Sequence, residues 1–197
     1  MERTLYPLFL DLASKPVLVV GAGPVGTQKA LALVQAGAAV TVVADKATDE
    51  LLAAAQAGRL TWVPRRFTAS DLDGHFLAVA ATGDSQVNAE VARAGAARKL
   101  FVNAVDDTQN ASAFAAAQLR RGPLVVAISS SGRAPGVARL LRELLEAILP
   151  QDAEASAWVA RAEALRASWR AEAKPIAARY RELLAALLAD AEQAVQP

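Results

Sequence analysis

Four groups of residues in this chain carry functional groups suited to binding or catalysis. The first is Gly21-Ala22-Gly23-Pro24-Val25-Gly26. A G-x-G-x-x-G run that directly follows a β-branched apolar run and opens a helix binds the pyrophosphate of a dinucleotide. Gly21 permits the tight turn, Gly23 lets phosphate approach the backbone, and Gly26 lets the helix pack close to the strand. Amides at the helix start face the phosphates. Pro24 has no amide proton, so the loop relies on its neighbours. A turn of purely structural purpose is the alternative.

The second group is Asp45 with Lys46, about twenty residues past the loop. A carboxylate at the end of the second strand binds the adenosine ribose hydroxyls and repels a 2′-phosphate, which favours NAD over NADP. Lys46 weakens that preference, and a solvated turn aspartate is the alternative. The third group is Asp106-Asp107, just after the fifth apolar run. Ligands of doubly wound sheets bind outside the carboxyl ends of the strands, and a carboxylate there can act as a base or orient a substrate nitrogen. Two adjacent carboxylates can shift the titration of one of them. Loop solvation or helix capping explains the same residues. The fourth group is Ser129-Ser130-Ser131-Gly132-Arg133, between a strand and a helix start, where hydroxyls, amides and a guanidinium can hold an anion. Arg139 and Arg142 extend the basic character. N-capping beside a solvated basic face is the alternative.

His75, the one histidine, sits before a strand start and is read as structural or solvent-facing. Trp158, Leu165, Trp169, Ile176 and Tyr180 recur at helical spacing and are read as core rather than as a ligand cover.

The bulk numbers bound these readings. In 197 residues, 54% are hydrophobic and 21% charged. That is a globular balance, long enough for an α/β core with an appendage. A net charge of +1 gives no electrostatic case for a nucleic acid or a membrane surface as partner. With no cysteine and a single histidine, disulfides, thiolate chemistry and a multi-histidine metal cage are excluded. The short apolar run near the start, soon followed by Asp11, reads neither as a signal peptide nor as a spanning helix, so a cytoplasmic location is expected.

Strand and helix signals alternate along the first half of the chain. Strands are expected at Val17–Val20, Ala39–Ala44, Leu60–Val63, Phe76–Ala81 and Leu100–Val105. Helices are expected at Pro24–Ala36, Lys46–Ala57 and Ser85–Lys99, the last capped by Asp84. Such alternation implies an α/β Rossmann-type, doubly wound parallel sheet. Beyond it, Ser112–Leu119 and Pro123–Ser129 around Arg120-Arg121-Gly122 read as a hairpin. A helix then opens at Pro135, with Val137, Leu140, Leu141, Leu144, Leu145 and Ile148 on one face, and Pro150 ends it. Residues 151–197 carry no strand signal, and Pro175 divides them into at least two helices. The expected segments are 1–111, 112–150 and 151–197.

On the opening Leu5-Tyr6-Pro7-Leu8-Phe9-Leu10 and on VLVVGAGPVGTQKA, FLAVAATGDSQVN, FVNAVDD and LVVAISSSGRAPGVARLLRELLE, the chain resembles the precorrin-2 dehydrogenases. These are the siroheme-synthase N-terminal module, found alone or fused to a methyltransferase. The resemblance covers essentially the whole chain. It implies NAD-dependent oxidation of precorrin-2 to sirohydrochlorin, and in some members insertion of ferrous iron to give siroheme. By the resemblance, Asp106 is the essential aspartate, and Pro24 and Val25 make phosphate-loop contacts. Asp45 and Lys46 make adenosine-side contacts, and Ser130 is the substrate-pocket serine, flanked by Ser129 and Arg133. It also implies a homodimer: 112–150 forms a small α+β dimerisation region, followed by a helical C-terminal domain. Two departures stand out. Ala116 replaces a proline found in many members, and Ser131 replaces the second loop glycine. No methyltransferase segment matches, so precorrin-2 is expected to arrive from a separate enzyme.

The residues suit such a substrate, a flat apolar frame carrying many carboxylates. Arg133 and Arg139 match carboxylates. Asp106 matches ring nitrogens and a developing positive charge as hydride leaves. Two alternatives stay open: a metal chelatase acting on sirohydrochlorin with little dehydrogenase activity, and a non-catalytic NAD-sensing module.

Overall fold

The β-branched run at Pro16–Val20 forms strand β1, the centre of a five-stranded parallel sheet, in a computed structural model that describes residues 4–105 and 107–194. The other strands are β2 (Ala39–Val43), β3 (Thr61–Val63), β4 (Leu77–Ala80) and β5 (Phe101–Ala104), in the order β3-β2-β1-β4-β5. Helices α1 (Pro24–Gln35), α2 (Asp49–Gln56) and α3 (Ser85–Ala97) connect them. This is the expected Rossmann-type α/β arrangement. The chain steps outward from β1 to β3 and then returns to β4 beside β1, so the topological switch lies between β1 and β4, where such sheets bind ligands.

Burial on both sheet faces explains the apolar runs. Val17 and Val19 pack with Ala30 of α1 and with Leu51 and Ala54 of α2. Leu18 and Val20 point the other way, to Val91 and Ala92 of α3 and to Val102 of β5. A strand covered on both sides has no polar alternation to show.

The chain divides into two compact units, Met1–Ala115 with Ser131–Arg133, and Ala116–Ser130 with Ala134–Pro197. The second unit contains a hairpin of β6 (Ala117–Arg121) and β7 (Leu124–Ile128), then α4 (Pro135–Ile148), α5 (Asp152–Ala171) and α6 (Ile176–Ala194). Ala138 of α4 and Leu119 of β6 are buried. Arg121 extends from β6 to the Glu146 carbonyl of α4 at 3.2 Å.

Several expected boundaries shift for physical reasons. Helix α2 begins at Asp49, not Lys46. Thr48 is in an extended conformation and its hydroxyl accepts from the Leu51 amide at 3.3 Å, which makes it the N-cap and leaves Asp45 and Lys46 in the preceding loop. The hairpin begins at Ala117, not Ser112, because Ser112 and Ala113 donate to the Val102 carbonyl along β5 at 2.9 and 3.0 Å. Its turn is Gly122-Pro123, with Arg120 and Arg121 inside β6, and Gly122 supplies the positive φ of 51° that two-residue turns demand. The aromatic stripe does not form one core face. Trp169 is buried, but Ile176 and Tyr180, on the separate helix α6, are exposed.

Candidate functional site

The glycine loop leaves β1 under tight constraint. The Gly21 amide donates to the Val43 carbonyl at 3.0 Å. Its φ is +102°, and a Cβ there would lie 2.5 Å from the Ala81 carbonyl oxygen. A Cβ on Gly26 would collide with the Gly21 carbonyl. Both positions therefore need glycine, so that α1 can pack against β1 and β4. Gly23 differs: a Cβ there would meet nothing within 4 Å, so its exposed side is open to a ligand. No side chain caps α1, and Pro24 occupies its first turn. The first-turn amides of Val25 and Gly26 have no acceptor within the helix. A closed floor, an open face over Gly23 and an uncapped helix start fit the pyrophosphate of a dinucleotide.

Two threonines fix the loop from behind. The hydroxyls of buried Thr27 and of Thr48 are 2.8 Å apart, and the Thr48 amide donates to the Ala22 carbonyl at 3.2 Å. One residue thus caps α2 and holds the nucleotide loop. On the other side, the Thr82 amide donates to Asn88 Oδ1 at 3.1 Å, and Asn88 Nδ2 returns a bond to the Thr82 carbonyl at 3.2 Å. This fixes the backbone that presses on Gly21. Sequence reasoning missed Thr27, Thr48, Thr82 and Asn88 as site-forming residues. A threonine inside the first helix and a Thr-Gly-Asp turn after the fourth run were the available signals.

Asp45 and Lys46 are exposed after β2. The Ala44 carbonyl accepts from the Trp62 indole at 3.1 Å, which steadies the segment. Asp45 Oδ2 accepts from Arg66 Nε at 3.3 Å. Arg66 was not anticipated, because it lies across β3 and twenty-one residues further along.

After β5, the Val105 amide donates to the Ala80 carbonyl at 2.9 Å. Asp106 lies outside the described residues. Asp107 is committed to a turn: its carboxylate accepts from the Asn110 side chain at 2.7 Å and from the Asn110 amide at 3.1 Å. These bonds, the side-chain one foremost, hold its carboxyl below the usual carboxylate range. The same turn borders a cavity of about 400 Å³ lined by Thr4, Leu5, Asn110, Ala111, Ser112 and Phe114.

The serine loop is shared between the units. Ser131, Gly132 and Arg133 group with the first unit. A Cβ on Gly132 would lie 2.6 Å from Thr108 Cγ2, so the loop tip adjoins the segment after Asp107. Ser129 and Ser130 belong to the second unit, where the Ser130 hydroxyl accepts from the Ala134 amide at 3.0 Å. The Ser130 oxygen is therefore the acceptor that the start of α4 uses. His75 is half-buried, with its Nδ1 lacking a hydrogen-bond partner. Among the described residues, no group of three or more His, Cys, Asp or Glu is placed to hold a metal ion, and no helix is long and apolar enough to cross a membrane.

Comparison with known proteins agrees with this geometry. The family described as putative NAD(P)-binding matches residues 8–117, more than half of the chain, and the family described as sirohaem biosynthesis protein central matches residues 121–148. A solved structure of SirC, a precorrin-2 dehydrogenase, superposes with a TM-score of 0.71 at 27% identity, covering 91% of this chain and 88% of that one. The chain belongs to the siroheme-synthase and precorrin-2-dehydrogenase family of NAD(P)-binding proteins. Among siroheme-synthase relatives, siroheme synthase 1 of Pectobacterium atrosepticum is 44% identical over 178 residues, which is 90% of this chain and 37% of the relative. Siroheme synthase 1 of Yersinia enterocolitica is 49% identical over 144 residues, 73% of this chain and 30% of the relative. The chain spans about a third of the length of these curated relatives.

Proposed function

We propose that the chain oxidises precorrin-2 to sirohydrochlorin, with NAD as the oxidant. The observation that carries this reading is the likeness to a precorrin-2 dehydrogenase across nearly the full length of both chains. It is supported by a glycine loop whose open and closed sides suit a dinucleotide. Bound NAD supplies the hydride acceptor. The reaction removes a hydride from a meso carbon and a proton from the ring system.

The chain's own residues divide the work. Gly21, Gly23, Pro24, Val25 and Gly26 bind the pyrophosphate, and Asp45 with Lys46 binds the adenosine ribose. Asp106 accepts ring N–H protons and stabilises the positive charge that develops as the hydride departs. Ser129, Ser130 and Arg133 receive substrate carboxylates. The active form in this reading is a cytoplasmic homodimer.

The siroheme-synthase names of the relatives favour a second reading, in which the chain also inserts ferrous iron into sirohydrochlorin. Iron is then a substrate and needs no resident ligand set. Asp106 would take pyrrole protons before metal entry.

Anaerobic mixing of the protein with precorrin-2 and NAD, followed by NADH absorbance, tests the first reading. A rise that needs both protein and substrate is expected. No rise with authentic substrate sinks the dehydrogenase, and retained NAD binding would then leave the sensing module standing. Sirohydrochlorin with Fe²⁺ or Co²⁺, against protein-free controls, tests the second reading.

A further inference from the structure

The ribose edge of the nucleotide site carries a cation that the NAD reading does not use. Arg66 Nε meets Asp45 Oδ2 at 3.3 Å, with 92% of the Arg66 side chain and 54% of the Asp45 side chain exposed. So exposed a pair contributes little to stability. Its effect is to place a guanidinium beside the carboxylate assigned to the ribose. Neighbouring Arg65 is committed elsewhere. Its two terminal nitrogens bind the two Asp71 oxygens, Nη1 at 2.8 Å. Nη1 also donates to the Arg66 carbonyl at 3.0 Å. The Asp71 side chain is largely buried and also accepts from the Thr68 amide at 2.8 Å. Arg65 and Asp71 thus cancel one another and fix the Arg66 backbone. Beside Asp45 stand two exposed cations, Lys46 and Arg66.

An aspartate alone at this place repels a 2′-phosphate, whereas an arginine nearby accommodates it. The guanidinium also presents paired donors that match phosphate oxygens. We propose that Arg66 is a specificity-determining residue that lets this site take NADP as well as NAD. With NAD, Asp45 accepts from the ribose hydroxyl and Arg66 stays on Asp45. With NADP, Arg66 leaves Asp45 for the 2′-phosphate, assisted by Lys46. Arg65 is a positioning residue for this exchange. The inference rests on the reading of Asp45 as the ribose contact.

Calorimetric titration of the full chain with NAD, NADP, ADP-ribose and 2′-phospho-ADP-ribose tests it, using wild type, Arg66→Ala, Arg66→Lys and Asp45→Asn. Wild type is expected to bind NADP within about tenfold of NAD. Arg66→Ala should weaken NADP about tenfold or more, the loss of one charge-assisted contact, and leave NAD within about twofold. Arg66→Lys should recover part of the NADP affinity. Asp45→Asn should weaken NAD and leave NADP at least as tight. Wild type that binds NAD but not NADP overturns the inference and leaves the site reading intact. So does an Arg66→Ala chain that weakens both nucleotides equally. Failure of wild type to bind any of the four overturns the site reading itself.

Discussion

Gly132 packs against Thr108: a Cβ added to Gly132 would stand 2.6 Å from Thr108 Cγ2 and 3.5 Å from the Phe114 ring, on a backbone whose φ is +75°. The tip of the serine loop is thereby tied to the loop that follows β5. Gly132→Ala brings both a left-handed strain and a methyl collision. It should displace the tip and lower kcat for precorrin-2 by about tenfold, with the Kd for NAD unchanged within about twofold. Thr108→Ser removes the opposing methyl, so the double variant should recover part of the loss. Steady-state kinetics beside NAD titration checks it. Full activity in Gly132→Ala would detach the loop tip from the chemistry.

Asp106 and Asp107 are adjacent carboxylates with different expected fates. The Asp107 carboxylate is occupied by Asn110 and stays ionised, so Asp107→Asn should alter turnover little. Asp106→Ala should reduce turnover by about 100-fold or more, the range of a lost proton-handling group, while NAD binding persists. Equal kinetics for wild type and Asp106→Ala would refute its chemical role. Comparable losses at the two aspartates would refute the division between them.

The sheet was legible because β1 and β4 are buried almost end to end and β2 nearly so, and short continuous apolar runs between turn residues read as strands covered on both faces. The glycine loop was legible because its two closed glycines, Gly21 and Gly26, answer to the local geometry of one strand and one helix. Less legible were relations between distant residues. Arg66 meets Asp45 only because β3 lies beside β2. The expected strand from Ser112 fails because that apolar run spends its amides on the Val102 carbonyl, a partner that no local pattern reveals. Ile176 and Tyr180 fall in phase with Trp169 along the sequence, but the break at Pro175 places them on another helix. The serine run read as one loop, and its residues divide between two units because Gly132 fits Thr108 and Ser130 serves Ala134.

Helix α4 exposes Val137, Leu140, Leu141, Leu144 and Ile148, an apolar face of successive helical turns. Ion pairs Arg139–Glu143 and Arg142–Glu146 run along the same helix. A contiguous apolar face of this kind marks an interaction surface, and the proposed homodimer gives it a self-complementary partner. Replacing Leu140 and Leu144 together by Glu should convert the dimer to a monomer in sedimentation velocity, with the far-ultraviolet dichroism of the helices retained. A wild type that sediments as a monomer at micromolar concentration would overturn the dimer outright. A double variant that remains dimeric would move the interface elsewhere.

Helices α5 and α6 are joined through one carboxylate. Trp169 Nε1 and Lys174 Nζ both donate to Glu182 Oε2, at 2.7 and 2.6 Å. The Lys174 bond foremost, then the indole, pulls the Glu182 carboxyl below its ordinary range, and Glu182 in turn raises Lys174. A carboxyl whose folded pKa is depressed stabilises the fold above its unfolded pKa, and loses that contribution as pH falls through the folded value. The α5–α6 pairing is therefore held at neutral pH and loosens only in acid, below the usual glutamate titration. Trp169 is buried, so its emission reports the change once Trp62 and Trp158 are replaced by Phe. In that background an acid red shift is expected. Glu182→Gln keeps an acceptor for the indole but cannot titrate, so the acid step should vanish while Tm at neutral pH falls only slightly. An acid step unchanged in Glu182→Gln would assign it to another group.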